Sequence, residues 1–491
     1  MPDDAEDVVR RERFSGGPAR TMLSSLDADE RIFEADLAVD RAHVVGLAEA
    51  GVIDASEAAA ILHALDEVAA AGHDALPAGE DVHAAIETAV VDRAGTAGGT
   101  LQTARSRNDE VAACIRYRFR ADLLDAAAAT VALRSALATV AADHVESVMP
   151  GYTHLQPAQP TTVGHFLASY ATAVARDTDR LLAAYDRTNR SPLGAAAFAG
   201  TPFDLDRERT AALLGFDGVV ENAMDAASAR DFLLEATAGL ATHATTLSGL
   251  AEDLVVFARD GDLRVDDDYA STSSIMPQKV NPDTLELVRA TAGDAHAGLS
   301  GLLTTLKGLP RAYNRDLQRA TPHAWETVDA TVEAAETAAG AVATATWDTE
   351  SLADRAGDGF TTATAVADRL ARAGVPFRTA HEVVATAAEA IEGIEGDCTT
   401  PDVETLDAAA REVLGDPLSA HVDPASVERV LSPTESVAER DSRGGPAPET
   451  VRDHLDGITA AIETDRTAVE RRRTTLDEAA ATLEEAIAAY V

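Results

Sequence analysis

Long stretches of helical periodicity constrain this chain more than any other feature, because apolar stripes of that length have to be covered along their whole extent. The first stretch runs from Val111 to Ser147, with Ile115, Leu123, Leu124, Val131, Leu137 and Val140 at helical spacing, and Met149-Pro150-Gly151 closes it. The second, from Val163 to Arg190, carries Phe166, Leu167, Tyr170, Val174, Leu181, Leu182 and Tyr185, and stops at Ser191-Pro192-Leu193-Gly194. Ser228 with Asp231 is the expected cap of a third, whose Leu233, Leu240, Leu247, Leu250 and Leu254 reach toward Arg259. A fourth is expected after Asn281, with Asn281 as N-cap, Pro282 at the first helical position and Asp283 matching the helix dipole. A fifth follows Thr321-Pro322 and ends near Trp347. Helices of roughly 25 to 35 residues bury such stripes only against one another. The pattern therefore predicts a mainly α chain built on a long-helix bundle, which oligomerisation would extend.

The flanks read differently. Shorter periodic runs and glycine-rich breaks such as Ala97-Gly98-Gly99 precede the bundle. After it, short runs alternate with turns such as Gly415-Asp416-Pro417 and Gly444-Gly445-Pro446. With 491 residues the chain exceeds one typical core. The expected division is an N-terminal helical domain at 1–105, a central bundle domain at 106–352 and a C-terminal helical domain at 353–491.

Charge narrows the setting. The formal net charge is −42, yet 46% of the residues are hydrophobic and periodic, which excludes a disordered acidic chain. A folded protein this acidic repels itself unless salt screens it, so the composition fits concentrated salt. Nucleic acid and anionic membranes are excluded as partners by the same charge. Cys114 and Cys398 form no spacing pattern, Met1-Pro2-Asp3-Asp4-Ala5-Glu6 lacks the character of a signal peptide, and no uninterrupted apolar run approaches a membrane span. A cytoplasmic protein is expected.

Chemistry concentrates in Ser271-Thr272-Ser273-Ser274-Ile275-Met276-Pro277-Gln278-Lys279-Val280-Asn281-Pro282. Only two lysines occur in the whole chain, and one of them, Lys279, stands in this run of hydroxyl residues stiffened by two prolines. A compact ammonium there can stabilise a carboxylate or an alkoxide. The segment resembles the signature loop of the fumarase/aspartase superfamily, with Thr272 where that pattern has glycine. Four further blocks, Thr103-Ala104-Arg105-Ser106-Arg107-Asn108-Asp109-Glu110, Gly151-Tyr152-Thr153-His154-Leu155-Gln156, Tyr313-Asn314-Arg315-Asp316-Leu317-Gln318 and Glu80-Asp81-Val82-His83, resemble the argininosuccinate lyase family. Phe360-Thr361-Thr362-Ala363-Thr364, Gly374-Val375-Pro376-Phe377-Arg378 and Arg443-Gly444-Gly445-Pro446 extend the likeness through the C-terminal third.

The resemblance implies three mostly helical domains, with the central helices of four subunits packed as one bundle and the active sites shared between subunits. It implies an anti β-elimination that splits argininosuccinate into arginine and fumarate. Ser273 is then the catalytic serine, with Lys279 as electrostatic support and His154 opposite, oriented by Glu286. Substrate contacts fall on Ser25, Arg105, Arg107, Asn108, Thr153, Asn281, Tyr313 and Gln318. One departure stands out: Thr321 occupies a position where the family commonly has lysine, and Arg319 or Arg315 is the expected substitute. Neither a metal nor a cofactor is expected, since His83, His154 and His165 show no ligand spacing. Two alternatives stay open. Aspartase or adenylosuccinate lyase would share the signature loop, and a non-catalytic storage relative would share the fold.

Overall fold

The computed structural model describes residues 19–391 and 400–491; Cys398 and the first residues of the chain lie outside that range. Three helices, α1 (Phe33–Glu49), α2 (Ala55–Ala71) and α3 (Val82–Ala94), form the N-terminal body. Asp54 and Glu57 cap α2 reciprocally, and the Asp81 carboxylate caps α3 by accepting from Ala84 N–H. The bundle is made of α4 (Arg107–Asp143), α5 (Val163–Thr188), α6 (Asp231–Asp260), α7 (Asp283–Leu306) and α8 (Leu317–Thr344). A hairpin of β1 (Val148–Thr153) and β2 (Gln156–Thr162) joins α4 to α5, and a small ladder of β3 (Ser271–Thr272) and β4 (Val280–Asn281) brackets the lysine loop. The C-terminal body consists of α9 (Ala363–Arg372), α10 (Phe377–Ile391), α11 (Val403–Leu414), α12 (Pro424–Leu431) and α13 (Pro433–Ala438), and α14 (Pro448–Ile487) ends the chain.

The central helix α4 is wrapped by α5, α8 and α14 and buries residues on more than one face, among them Phe119, Leu123, Leu124, Leu133 and Leu137. Among the described residues α4 is the one helix long and apolar enough to cross a membrane, although charged residues such as Asp122, Asp125 and Arg134 interrupt it. Its apolar window is 67% buried inside the protein, however, and α4 sets Arg134 against Asp465 of α14.

Tertiary context moves three expected helix starts. Ser228 does not cap α6: it ends a short helix, Ala223–Ser228, and an extended Ala229 separates the two, so α6 begins after Arg230 without a side-chain cap. Asn281 does not cap α7, because its backbone pairs with Ser271 in the small ladder and leaves Pro282 at the cap position. The fifth helix starts at Leu317 rather than after Pro322, so Pro322 lies inside α8 and removes one intrahelical bond.

The chain after residue 353 is not one packed body. Phe360, Leu370, Val383, Leu406, Leu418 and Val430 belong to a core of their own. By contrast, α14 turns back over 40 residues: Leu455 and Ile458 join the bundle core, Val469 packs farther along it, and Leu483 and Ile487 reach the N-terminal core. Its apolar residues recur at helical spacing over that whole length, and only the bundle is long enough to cover them.

Candidate active site

A cavity of about 190 Å3 opens where α1's entry loop, α4's N-terminus and α8's N-terminus meet. Ser25, Arg107, Asn108, Tyr313 and Gln318, five of the candidate substrate contacts, line it, and Thr321 lies on its wall. Local chemistry positions each of them. Ser106 caps α4 by accepting from Asn108 N–H, while the Asp109 carboxylate accepts from Ser106 N–H. The second Asp109 oxygen accepts from Gly194 and Ala196 N–H, and Asn108 donates to the Ala197 carbonyl, so the same turn anchors the 194–197 loop. Burial pushes the Asp109 carboxyl up to about 6. Arg107 donates to Asp81 at 2.8 Å. Ser25 donates to Asp29 at 2.8 Å, and its backbone N–H bonds the Glu80 carbonyl. Glu80 also pairs with Arg315. The block at residues 80–83 therefore works as a brace joining α3 to both rims of the cavity.

Arg105 does not reach this cavity, which corrects its assignment as a substrate contact. Its guanidinium is 1% exposed and held by Asp40 at 2.6 Å and Glu110 at 3.0 Å. The chain turns into α4 at the Ser106 cap, which leaves Arg105 on the buried side and Arg107 at the cavity. Around Arg105 lies a buried group of charges: Asp36, Asp40, His83, Glu110 and the Cys114 thiol. His83 stands 2.8 Å from Asp36. Burial is the largest single influence and lowers its pKa, but Asp36, Glu110 and Asp81 together overcome it and push it up to about 10. Geometrically these donors crowd together as metal ligands would, yet Arg105 and an imidazolium at His83 already neutralise the carboxylates.

The other expected residues are elsewhere. Thr153 and His154 occupy the end of the β1–β2 hairpin, where His154 and Leu155 form a two-residue turn with φ of 58° at both. Primed turns of that kind match strand twist but strain residues other than glycine, a cost commonly found at functional positions. Gly151 is required here, since a Cβ would lie 2.4 Å from the Gln159 carbonyl. Leu155 at the tip is 78% exposed, and the His154 ring has no hydrogen-bond partner among the described residues. Ser273 and Lys279 sit on a loop that is exposed apart from the half-buried Ser273. The Ser273 oxygen accepts from Ile275 N–H at 3.3 Å and Met276 N–H at 3.1 Å, two donors that favour an alkoxide over a neutral hydroxyl. Asn281 stands beside this loop, and Glu286 lies in the first turn of α7. None of these residues lines the cavity.

Sequence reasoning missed Asp29, Asp81 and Arg230 on the cavity wall. The block at 80–83 was a visible signal for Asp81. Arg230 carried none, because its helix start was misplaced.

A family model described as "Lyase" matches residues 22–296, and one described as "Argininosuccinate lyase C-terminal" matches residues 360–438. Over 466 residues the chain is 66% identical to the argininosuccinate lyase of Natronomonas pharaonis, covering 95% of this chain and 93% of that relative. The argininosuccinate lyase of Halobacterium salinarum is 65% identical, with 95% of each chain covered. Among solved structures, EDDS lyase in complex with formate aligns with a TM-score of 0.86 at 32% identity over 96% of each chain. A class II fumarase from Schistosoma mansoni, 16% identical, aligns with a TM-score of 0.71 over 87% of this chain and 96% of its own, which shows a shared fold.

Proposed function

This chain belongs to the argininosuccinate lyase family and cleaves argininosuccinate to L-arginine and fumarate, and we propose that it does so in sites completed by neighbouring subunits of a homotetramer. One observation carries the tetramer. The cavity with its substrate-binding side chains is lined by neither the Ser273 loop nor the His154 hairpin, and no side-chain hydrogen bond among the described residues joins either of those two to the cavity. Ile275, Leu155 and Leu287 around them are 83%, 78% and 71% exposed, apolar surface that an isolated acidic protein would have reason to cover.

The chemistry follows from what each group offers. Ser273, as the alkoxide, takes a proton from the carbon next to a succinate carboxylate. The electron pair left behind moves first onto that carboxylate, where Lys279, Asn281 and the N-terminal end of α7 meet the added negative charge. It then forms the carbon–carbon double bond as the bond to the guanidine nitrogen breaks. His154, oriented by Glu286, returns a proton to that nitrogen. Ser25, Arg107, Asn108, Thr153, Tyr313 and Gln318 hold the substrate. The halophilic relatives and the charge of −42 support a salt-rich cytoplasm as the setting.

The test is subunit exchange. Ser273→Ala and His154→Asn proteins, each nearly inactive, are mixed under conditions of verified exchange and followed by fumarate absorbance with argininosuccinate in molar salt. Shared sites predict recovery of a fraction of wild-type activity, because some sites receive both intact residues. No recovery after confirmed exchange would place each site within one subunit.

A further inference from the structure

The cavity contains a cation that the chain itself leaves unbalanced. Arg230 is 3% exposed and lines the cavity beside Tyr313 and Gln318. One terminal nitrogen donates to the Ala229 carbonyl at 2.9 Å, while Nε and the other terminal nitrogen have no hydrogen-bond partner. No carboxylate among the described residues lies within ion-pair distance of it. Burial without a counter-anion pushes this guanidinium down to about 10, with only the Tyr313 phenol opposing. A buried guanidinium in that state is costly unless something supplies the missing anion.

The other cations near the cavity are committed or absent. Arg107 is paired with Asp81, and Arg315 with Glu80. Arg319 is exposed and does not line the cavity, and Thr321 brings no charge where the resembling family has lysine. Neither expected substitute for that lysine is therefore free to serve. Asp29 lines the same cavity and forms no ion pair with an arginine among the described residues, so beside the paired Arg107 and Asp81 the groups left to meet an α-amino acid head are the Arg230 guanidinium and the Asp29 carboxylate.

We propose that Arg230 binds the α-carboxylate of the arginine end of the substrate and so replaces the positive charge missing at Thr321. The proposal rests on the lyase reading above and adds the residue that recognises the amino-acid end. It separates that end from the succinate end, which meets the Ser273 loop.

Competition on the wild-type enzyme gives the first test, using L-arginine and agmatine, which is arginine without its α-carboxylate. With fumarate release from argininosuccinate as readout, L-arginine should inhibit about 10- to 100-fold more tightly than agmatine, the range expected for a charged hydrogen-bonded contact. Arg230→Met should raise KM by a similar factor with kcat within about threefold, and should erase the preference for L-arginine. Adding Thr321→Lys to that variant should recover much of the loss. Equal inhibition of the wild type by both compounds would overturn the proposal even if Arg230→Met fails to fold, as would an unchanged KM in a folded Arg230→Met. Absence of any fumarate from argininosuccinate would instead overturn the lyase reading.

Discussion

Ser273, the base proposed above, has two backbone N–H groups pointing at its oxygen, so charge placed there is met without rearrangement. Ser273→Ala removes that oxygen and nothing from any core, since Ser273 is half-buried on a loop whose other residues are exposed. The variant should keep its thermal midpoint and lose about 10²- to 10⁴-fold in kcat, the usual contribution of an acid–base group; initial rates in molar salt check it. His83 makes the opposite kind of contribution. Its folded pKa of about 10 lies above the 6.5 of an unperturbed histidine, so between those values the folded state holds a proton that the unfolded state has released. The stability it brings is complete below about pH 6.5 and is lost as pH rises toward 10. Melting midpoints across that window should fall with pH in the wild type, and His83→Gln should flatten the slope while lowering stability at pH 6. A wild-type slope matched by the variant would remove His83 as the cause. At this scale Ser273, Lys279 and His154 were legible as candidates because their neighbours in sequence form recognisable blocks. Arg105 was misread because one block contains two arginines, and only packing decides which of them faces the cavity.

The elements that matter most to the site are those that end badly by ordinary rules. The hairpin places two residues other than glycine in a primed turn, α6 begins at an uncapped arginine, and α8 carries a proline in its early turns. Each exception sits at or beside the candidate site, where backbone geometry is set by what must be presented rather than by propensity. The long helix α14 is the contrary case, regular throughout and structural. Its far end ties the bundle to the N-terminal body through Leu483, which is 5% exposed. Leu483→Ala should cost about 2–4 kcal/mol, as large-to-small changes in a packed core do. Chemical denaturation in molar salt would show it as a lower midpoint. An effect below about 0.5 kcal/mol would mean that the end of α14 is loosely docked. Helix existence was readable from period alone. Helix starts were not, because Asn281 and Ser228 are good caps locally and are overruled by a β ladder and by an extended residue.

At the scale of the molecule, charge decides the working conditions. Acidic residues number 83 against 41 basic ones, and argininosuccinate also approaches as a net anion. At about 1 M salt the Debye length is ~3 Å, short enough to screen surface repulsion while leaving close pairs largely intact. Raising KCl from ~0.05 to ~3 M should therefore raise the melting midpoint and lower the apparent KM, with best activity on the order of 1 M or above. Equal stability and activity at the lowest salt would sink this reading and leave the lyase assignment untouched. The sequence by itself determined the helical class, the bundle and the acidic habit, and it nominated the candidate reacting groups, since period, net charge and short blocks are local or additive quantities. Tertiary structure alone decided which arginine is spent on Asp40 and Glu110, which is left unpaired at the cavity, and that neither Ser273 nor His154 lines that cavity. Those outcomes depend on distances between residues far apart in the chain, and burial converts such distances into energies that no linear pattern records.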